Sequence, residues 1–463
     1  MPHRPIRTTL AQVIGPLSGL LLCAVLMANE QSFATGATAG LTLWVAIWWV
    51  FEALPIPVTS LLPIALFPAL GILTPQEVGQ SVGSPLILLL MGGFILSRGM
   101  QRSGVHKRLA MALLSAFGGG PRAVVFGFLC TAALLSMWIS NTATALMLLP
   151  IALAALGDTA SRTLRVCVVL AVAYGCSIGS LGTPIGTTPN LVFMDAFREA
   201  SGQEIGFVQF MKWGLPVVAV LLPLAGLVLT WGLPQTQLRA TQQLGPWHSI
   251  EIRTLMVFGA TALLWLTRRE PFGGWSTWFG MPGANDASVA LTAVVAMFLI
   301  PSGRERGDRL LDWDTARDIP WGILLLFGGG LCIARAFDRS GLSDLIGAQL
   351  AALIADWPLY LTMLLLALGV TFLTELTSNT ATAALLMPIL GGAAVAANMP
   401  PIVIMLPAAM SASCAFMLPV ATGPNAVVFA SGEVRILDMI RRGFALNLLG
   451  AVAVSGLVWS YQS

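Results

Sequence analysis

The chain has 463 residues, 56% of them hydrophobic and only 10% charged, with a formal net charge of +3. A soluble protein of this length needs more charge to cover its surface, and apolar runs that are continuous rather than alternating argue against a β-barrel. The composition specifies an all-α polytopic membrane protein in a lipid bilayer, and the small positive excess calls for no nucleic-acid partner.

A basic start, "MPHRPIR", precedes the first apolar run at 10–28. The charge pattern closes best with this run kept as a helix rather than cleaved as a signal peptide. Further helices are expected at 37–53, 56–72 and 84–103. An unusual segment at 122–157 carries a polar triplet inside an apolar stretch, "WISNTATALMLLP". Helices at 163–197, 208–231, 252–267, 286–301 and 319–337 follow. A second unusual segment at 358–396 holds "TSNTATAALLMP", and the chain closes with helices at 401–430 and 443–460. All six cysteines (Cys23, Cys130, Cys167, Cys176, Cys332, Cys414) lie in apolar segments without metal-ligand spacing, and the three histidines lie in polar connections. Neither a histidine metal site nor a prosthetic group is indicated.

With both unusual segments treated as re-entrant hairpins, eleven transmembrane helices remain. The N-terminus, "QRSGVHKR", "SRTLR", "LRATQQLGPWHSIEIR", "SGRERGDR" and "EVRILDMIRR" then share one face. They hold most of the Arg and Lys, so that face is cytoplasmic, the N-terminus lies inside and the C-terminus outside. Arg268 and Arg269 are the one clear violation.

The two halves resemble each other. "LLLMGGFILSRGMQRSG" (88–104) matches "LLFGGGLCIARAFDRSG" (325–341) at an offset of 237, as from Arg98 to Arg335. Ser140-Asn141-Thr142 matches Ser378-Asn379-Thr380 at 238, and "TTPN" (187–190) matches "TGPN" (422–425) at 235. Three blocks in one order at a nearly constant offset mark an internal repeat. Combined with the topology, the halves are inverted. Inverted repeats with interrupted helices are the signature of secondary transporters. A channel does not need paired interruptions. An intramembrane enzyme would need a nucleophile or metal cluster at membrane depth, and no such constellation appears, so no catalytic residue is assigned.

Ser, Asn and Thr favour helix N-termini, so each triplet starts a half-helix inside the membrane, where free N–H groups and the helix dipole suit an anion. "GTPIGTTPN" (182–190) and "PVATGPN" (419–425) break helices a second way, and Pro189 and Pro424 suit the first turn of a new half-helix. No Lys, Arg, Asp, Glu or His lies within the four motifs. An anion there is neutralised only by dipoles and by cations bound with it, and uncharged oxygens suit Na⁺ better than a proton relay. Ser136 and Thr374, each one turn before a triplet, are either cation ligands or hydroxyls bonded to their own helix. Glu375, just before the second triplet, serves a cation site or a basic partner, or is structural. Glu52 reads as structural, and Arg98 and Arg335 as helix-end snorkellers.

The paired SNT tips with "GTTPN" and "FMLPVATGPN" resemble the divalent anion:sodium symporter (DASS) family, which includes the INDY dicarboxylate transporters. The resemblance covers nearly the whole chain. It implies a homodimer in the inner membrane, an elevator-type carrier and cotransport of C4-dicarboxylates (succinate, malate, fumarate) with several Na⁺ ions. Substrate contacts carry over to Asn141, Thr142, Asn379, Thr380, Thr422 and Gly423. One sodium site carries over to Ser136, Ser140, Asn141 and a carbonyl near Gly186, the other to Thr374, Thr377, Asn379 and a carbonyl near Ala421. Residues 121–200 and 358–432 would form the two halves of a transport domain, 1–120 and 201–357 scaffold helices and connections, and 433–463 the last transmembrane helix. Many dicarboxylate members resemble "ATPPN" where this chain has "ATGPN" at 421–425. Gly423 removes bulk beside the expected substrate, so citrate is an alternative, as are sulfate-type dianions. Exchange in place of symport would call for basic residues near the site, and the motifs hold none.

Overall fold

The repeated Arg-Ser-Gly is a helix stop in both halves. Helices Pro85–Ser103 and Trp321–Ser340 end at Gly104 (φ 81°) and Gly341 (φ 71°), left-handed positions that glycine adopts without a Cβ penalty. The arginines before each stop are anchored. Arg102 reaches Asp308 at 2.9 Å and Asp312 at 2.7 Å, and Arg339 pairs with Glu77. Arg98 pairs with Asp318, and Arg335 donates to the Glu77 carbonyl at 2.7 Å and faces Glu199 at 3.6 Å. Arg98 and Arg335 are held in ion pairs at these helix ends, and their acids come from segments remote in sequence.

The computed structural model describes residues 6–117, 120–156, 160–233, 245–269, 273–304, 306–346, 349 and 357–461. The basic residues read at 1–5 and part of the charged connection, 238–244, lie outside these. Among the described residues the chain is helical, with one isolated bridge between Pro301 and Arg309. Nine helices among these described residues are long and apolar enough to cross a membrane. The run expected at 56–72 is split into Ile56–Thr59 and Leu61–Ala69, and the last helix, Ile436–Ser460, starts seven residues earlier than its apolar core suggests. A helix the sequence left as a connection, Val105–Ser115, follows the first stop. It is pinned by Arg108, which pairs with Glu251 at 3.0 Å and donates to the carbonyls of Gly245 and Pro246. Arg268 and Arg269, the violators of the charge pattern, are neutralised. Arg268 is buried against Asp286 at 2.6 Å, and Arg269 meets Glu204 at 2.6 Å.

Both unusual segments are interrupted at their triplets. Helix Pro121–Ser136 stops, four residues turn, and Asn141–Leu156 begins; Leu359–Thr374 and Asn379–Ala396 repeat the pattern. The expected helices at 163–197 and 401–430 are broken as well. Arg162–Gly179 gives way to a 3-10 turn and an extended break before Thr188–Ser201, and Ile402–Ser411 unwinds before Gly423–Ala430. Arg162–Gly179 is buried almost throughout. It lies against Pro121–Ser136 so closely that a Cβ at Gly175 would fall 2.4 Å from the Leu129 carbonyl oxygen, and one at Gly179 2.2 Å from that of Ala133. Glycines four apart are what lets two backbones meet in a membrane.

That contact generates a prediction. Gly179→Val should cost about 1–3 kcal/mol by overpacking against fixed backbone, read as a lower thermal midpoint of the detergent-solubilised protein. Gly369→Val, where nothing lies within 4 Å of the new Cβ, should leave the midpoint near the parent value.

Candidate functional site

The two broken helices are held open by equivalent asparagines. Asn190 Nδ2 donates to the carbonyls of Ser180 at 2.9 Å and Thr183 at 2.8 Å. Asn425 Nδ2 donates to those of Ala415 at 3.2 Å and Leu418 at 3.0 Å. Each residue of one set lies 235 positions from its mate. Both side chains are fully buried, and each supplies the donors that the unwound backbone has lost.

The tips are built alike. Ser136 Oγ donates to Asn141 Oδ1 at 2.7 Å; Thr374 Oγ1 lies 2.7 Å from Asn379 Oδ1 and 2.9 Å from the Ala412 carbonyl oxygen. The triplet asparagines stand in the first helical turn, and Ser378, at the N-cap position, makes no side-chain capping bond. Four helices, beginning at Asn141, Thr188, Asn379 and Gly423, start at the wall of one cavity of about 200 Å³. Asn141, Thr142, Asn379, Thr380, Thr422 and Gly423 all line it, as do Ser140, Gly186 and Ala421. Ser136 and Thr374 stand behind it, reaching it through the asparagines. Thr377 is engaged elsewhere, with its hydroxyl on the Leu373 carbonyl at 3.0 Å and on Thr382 at 2.6 Å.

Besides Ser97 on the opposite wall, three polar residues of the cavity lie in the repeated motifs but received no site role from the sequence: Thr187, Thr188 and Ser378. The repeat itself could have found them, since Ser378 is the mate of Ser140, and Thr187-Thr188 of Thr422-Gly423. The opposite wall comes from Leu90, Gly93, Phe94 and Ser97 on one helix and Ile323 on its repeat partner. Trp138 closes one side, stacked on Phe207 with 6.1 Å between ring centres and edge-on to Phe258 at 5.6 Å. Among the described residues, none that lines the cavity is charged.

The halves interlock across the site. Thr188 meets Thr380 hydroxyl to hydroxyl. At the pseudo-equivalent contact Gly423 faces Thr142, and a Cβ at Gly423 would sit 2.0 Å from the Thr142 hydroxyl. The expectation that Gly423 opens room for a larger acid is thus corrected: Thr142 occupies that room.

Glu375 has no basic partner among the described residues. Its Oε1 accepts from the backbone N–H groups of Phe416 at 2.7 Å and Met417 at 2.8 Å and from Asn447 Nδ2 at 2.8 Å, and its Oε2 accepts from Leu418 N at 2.9 Å. Four donors around a buried carboxylate tie the second tip to the unwound loop and to the last helix. In the first half the same connection is neutral, with Thr183 Oγ1 donating to the Met137 carbonyl at 2.5 Å.

Comparison with known proteins shows the family. The family profile described as "Citrate transporter" matches residues 46–399. The sodium-dependent dicarboxylate transporter SdcS of Staphylococcus saprophyticus is 38% identical over 96% of this chain and 90% of its own length. SdcS of Staphylococcus aureus is 36% identical over the same shares. The chain belongs to the divalent anion:sodium symporter family. Members and relatives are transporters, not enzymes, and the chain is a multi-pass membrane protein. Among solved structures, the YdaH transporter of Alcanivorax borkumensis superposes with a TM-score of 0.60 at 16% identity, covering 91% of this chain and 98% of that one. MtrF of Neisseria gonorrhoeae gives 0.60 at 14% identity over 85% and 83%. At those identities the likeness speaks to fold alone.

For a symporter of this family, the Glu375 clamp predicts a stability effect. Glu375→Gln keeps the shape but turns an amide N–H₂ toward one of the backbone donors. It should cost about 1–3 kcal/mol, measured as a lower thermal midpoint in detergent.

Proposed function

We propose that this chain carries C4-dicarboxylates (succinate, malate and fumarate) into the cell together with several Na⁺ ions. The observation that carries the reading is the convergence of four helix N-termini on one cavity without a charged residue. N-termini attract carboxylates, but partial charges alone do not offset a desolvated dianion; cations that travel with it do. The names of the SdcS relatives agree with this chemistry. Carboxylates are assigned to Asn141, Thr142, Asn379, Thr380, Thr422 and Gly423. One Na⁺ is assigned to Ser136, Ser140, Asn141 and the Gly186 carbonyl. The other is assigned to Thr374, Asn379 and the Ala421 carbonyl, with Ser378, the repeat mate of Ser140, in place of Thr377. The description of the matching family profile keeps citrate as a second reading.

The two tips and two broken helices, with Ile436–Ser460 packed on them and with Phe207–Thr230, which the sequence placed among the scaffold helices but which packs on the same elements, are proposed to move as one elevator body. That body would slide against a scaffold of the helices at 10–103 and 252–337, through which two copies dimerise in the inner membrane with N-termini in the cytoplasm.

Two experiments test this. In proteoliposomes, succinate uptake should require an inward Na⁺ gradient and rise more steeply than first order with Na⁺; Asn141→Ala and Asn379→Ala should each abolish it in protein that still folds. Equal uptake in choline medium would sink the reading. The second tests movement. A Cβ at Gly330, on the proposed scaffold, would lie 3.4 Å from the Ala384 Cβ on the proposed moving body, near the lower edge of disulfide reach. With the native cysteines replaced, oxidation of a Gly330→Cys, Ala384→Cys protein should stop uptake and reduction should restore it. Full turnover of the crosslinked form would rule out the elevator.

A further inference from the structure

The repeat builds both ends of the cavity on one plan, yet equips them differently. An offset of 235 pairs Thr187 with Thr422 and Thr188 with Gly423, and all four residues line the cavity. In the second half the Thr422 hydroxyl is used as a helix cap, accepting from Asn425 N at 3.1 Å, and Gly423 has no side chain to offer. In the first half Thr187 holds the same cap position but makes no side-chain capping bond, and Thr188 meets Thr380. One end therefore carries a cluster of three hydroxyls, Thr187, Thr188 and Thr380. At the other end the Thr142 hydroxyl is packed over Gly423.

We propose that Thr187 and Thr188 make this site select diacids bearing a hydroxyl on carbon 2, such as malate, over unsubstituted succinate, and hold them in one of two otherwise equivalent orientations. The inference rests on the dicarboxylate reading of the cavity and deepens it. Helix N-termini serve the two carboxylates alike and cannot tell one end of a diacid from the other. Hydroxyls can. Thr188 and Thr380 share one hydrogen bond, which leaves that pair a free proton and spare lone pairs, and the Thr187 hydroxyl keeps both roles. A substrate alcohol needs both a donor and an acceptor, and the cluster supplies both. A methylene at the same place offers these hydroxyls nothing and displaces the water that would otherwise serve them.

The test is competition against labelled succinate in proteoliposome uptake driven by an inward Na⁺ gradient, with unlabelled malate and unlabelled succinate as competitors. In the unmodified protein malate should compete more strongly than succinate by roughly three- to tenfold, the worth of one net hydrogen bond. Thr188→Val keeps the shape and removes the hydroxyl, and should bring the two competitors level; Thr188→Ser should restore the preference. Thr187→Val is the independent variant, expected to lower the same ratio, and it keeps the proposal testable should Thr188→Val not fold. Equal competition in the unmodified protein, or an unchanged ratio in both valine variants, overturns the proposal. Intact Na⁺-driven succinate uptake with an unchanged ratio removes this proposal alone. Absence of such uptake removes the dicarboxylate reading and this proposal with it.

Discussion

Everything at the centre of this protein depends on satisfying backbone that has come out of a helix where lipid cannot hydrogen-bond it. Asn190 and Asn425 do so with one geometry used twice, each donating to two carbonyls of the turn before its own helix. Once the breaks are held, four helices can begin at one place. Helix beginnings leave N–H groups without an acceptor inside the helix, and the residues of these four first turns line the cavity.

The described lining of the cavity is uncharged, which suits the moving site proposed above. A carrier that must pass its binding site across a low-dielectric barrier does best when the empty site is neutral. Glu375 is the exception near the tips, and its surroundings explain why it is tolerated: it is buried, yet every oxygen is met by a backbone or amide donor. The first half reaches the same mechanical end with a hydroxyl and a carbonyl. Symmetry in this chain is thus a matter of which segments touch, not of which atoms make the touch.

Much of this was legible in the sequence because apolar length and repetition survive in one dimension. Nearly every long helix, both breaks and both triplets fall where expected. Val105–Ser115 was missed because its packing rests on Arg108 finding Glu251 and two carbonyls far along the chain, which no local periodicity reports. Thr188 and Ser378 are hidden for a different reason: neither has a local signal of its own, and each reads as a site residue only through its mate, Gly423 or Ser140, in the other half. The role of Gly423 was misread because composition shows that a side chain is lacking, not what fills its place. Only the cross-half packing of Thr142 shows that.

That packing has a consequence for how such carriers diverge. Positions 142 and 423 lie in opposite halves of the gene, yet they share a single volume. A bulkier residue at 423 has nowhere to go unless the threonine at 142 shrinks or turns away. The two sites are therefore expected to change as a pair over evolutionary time, and a path that alters 423 first passes through a crowded intermediate. Inherited substrate range in this lineage would then shift in steps, with an early compensating change at 142 opening routes that a lone change at 423 keeps closed.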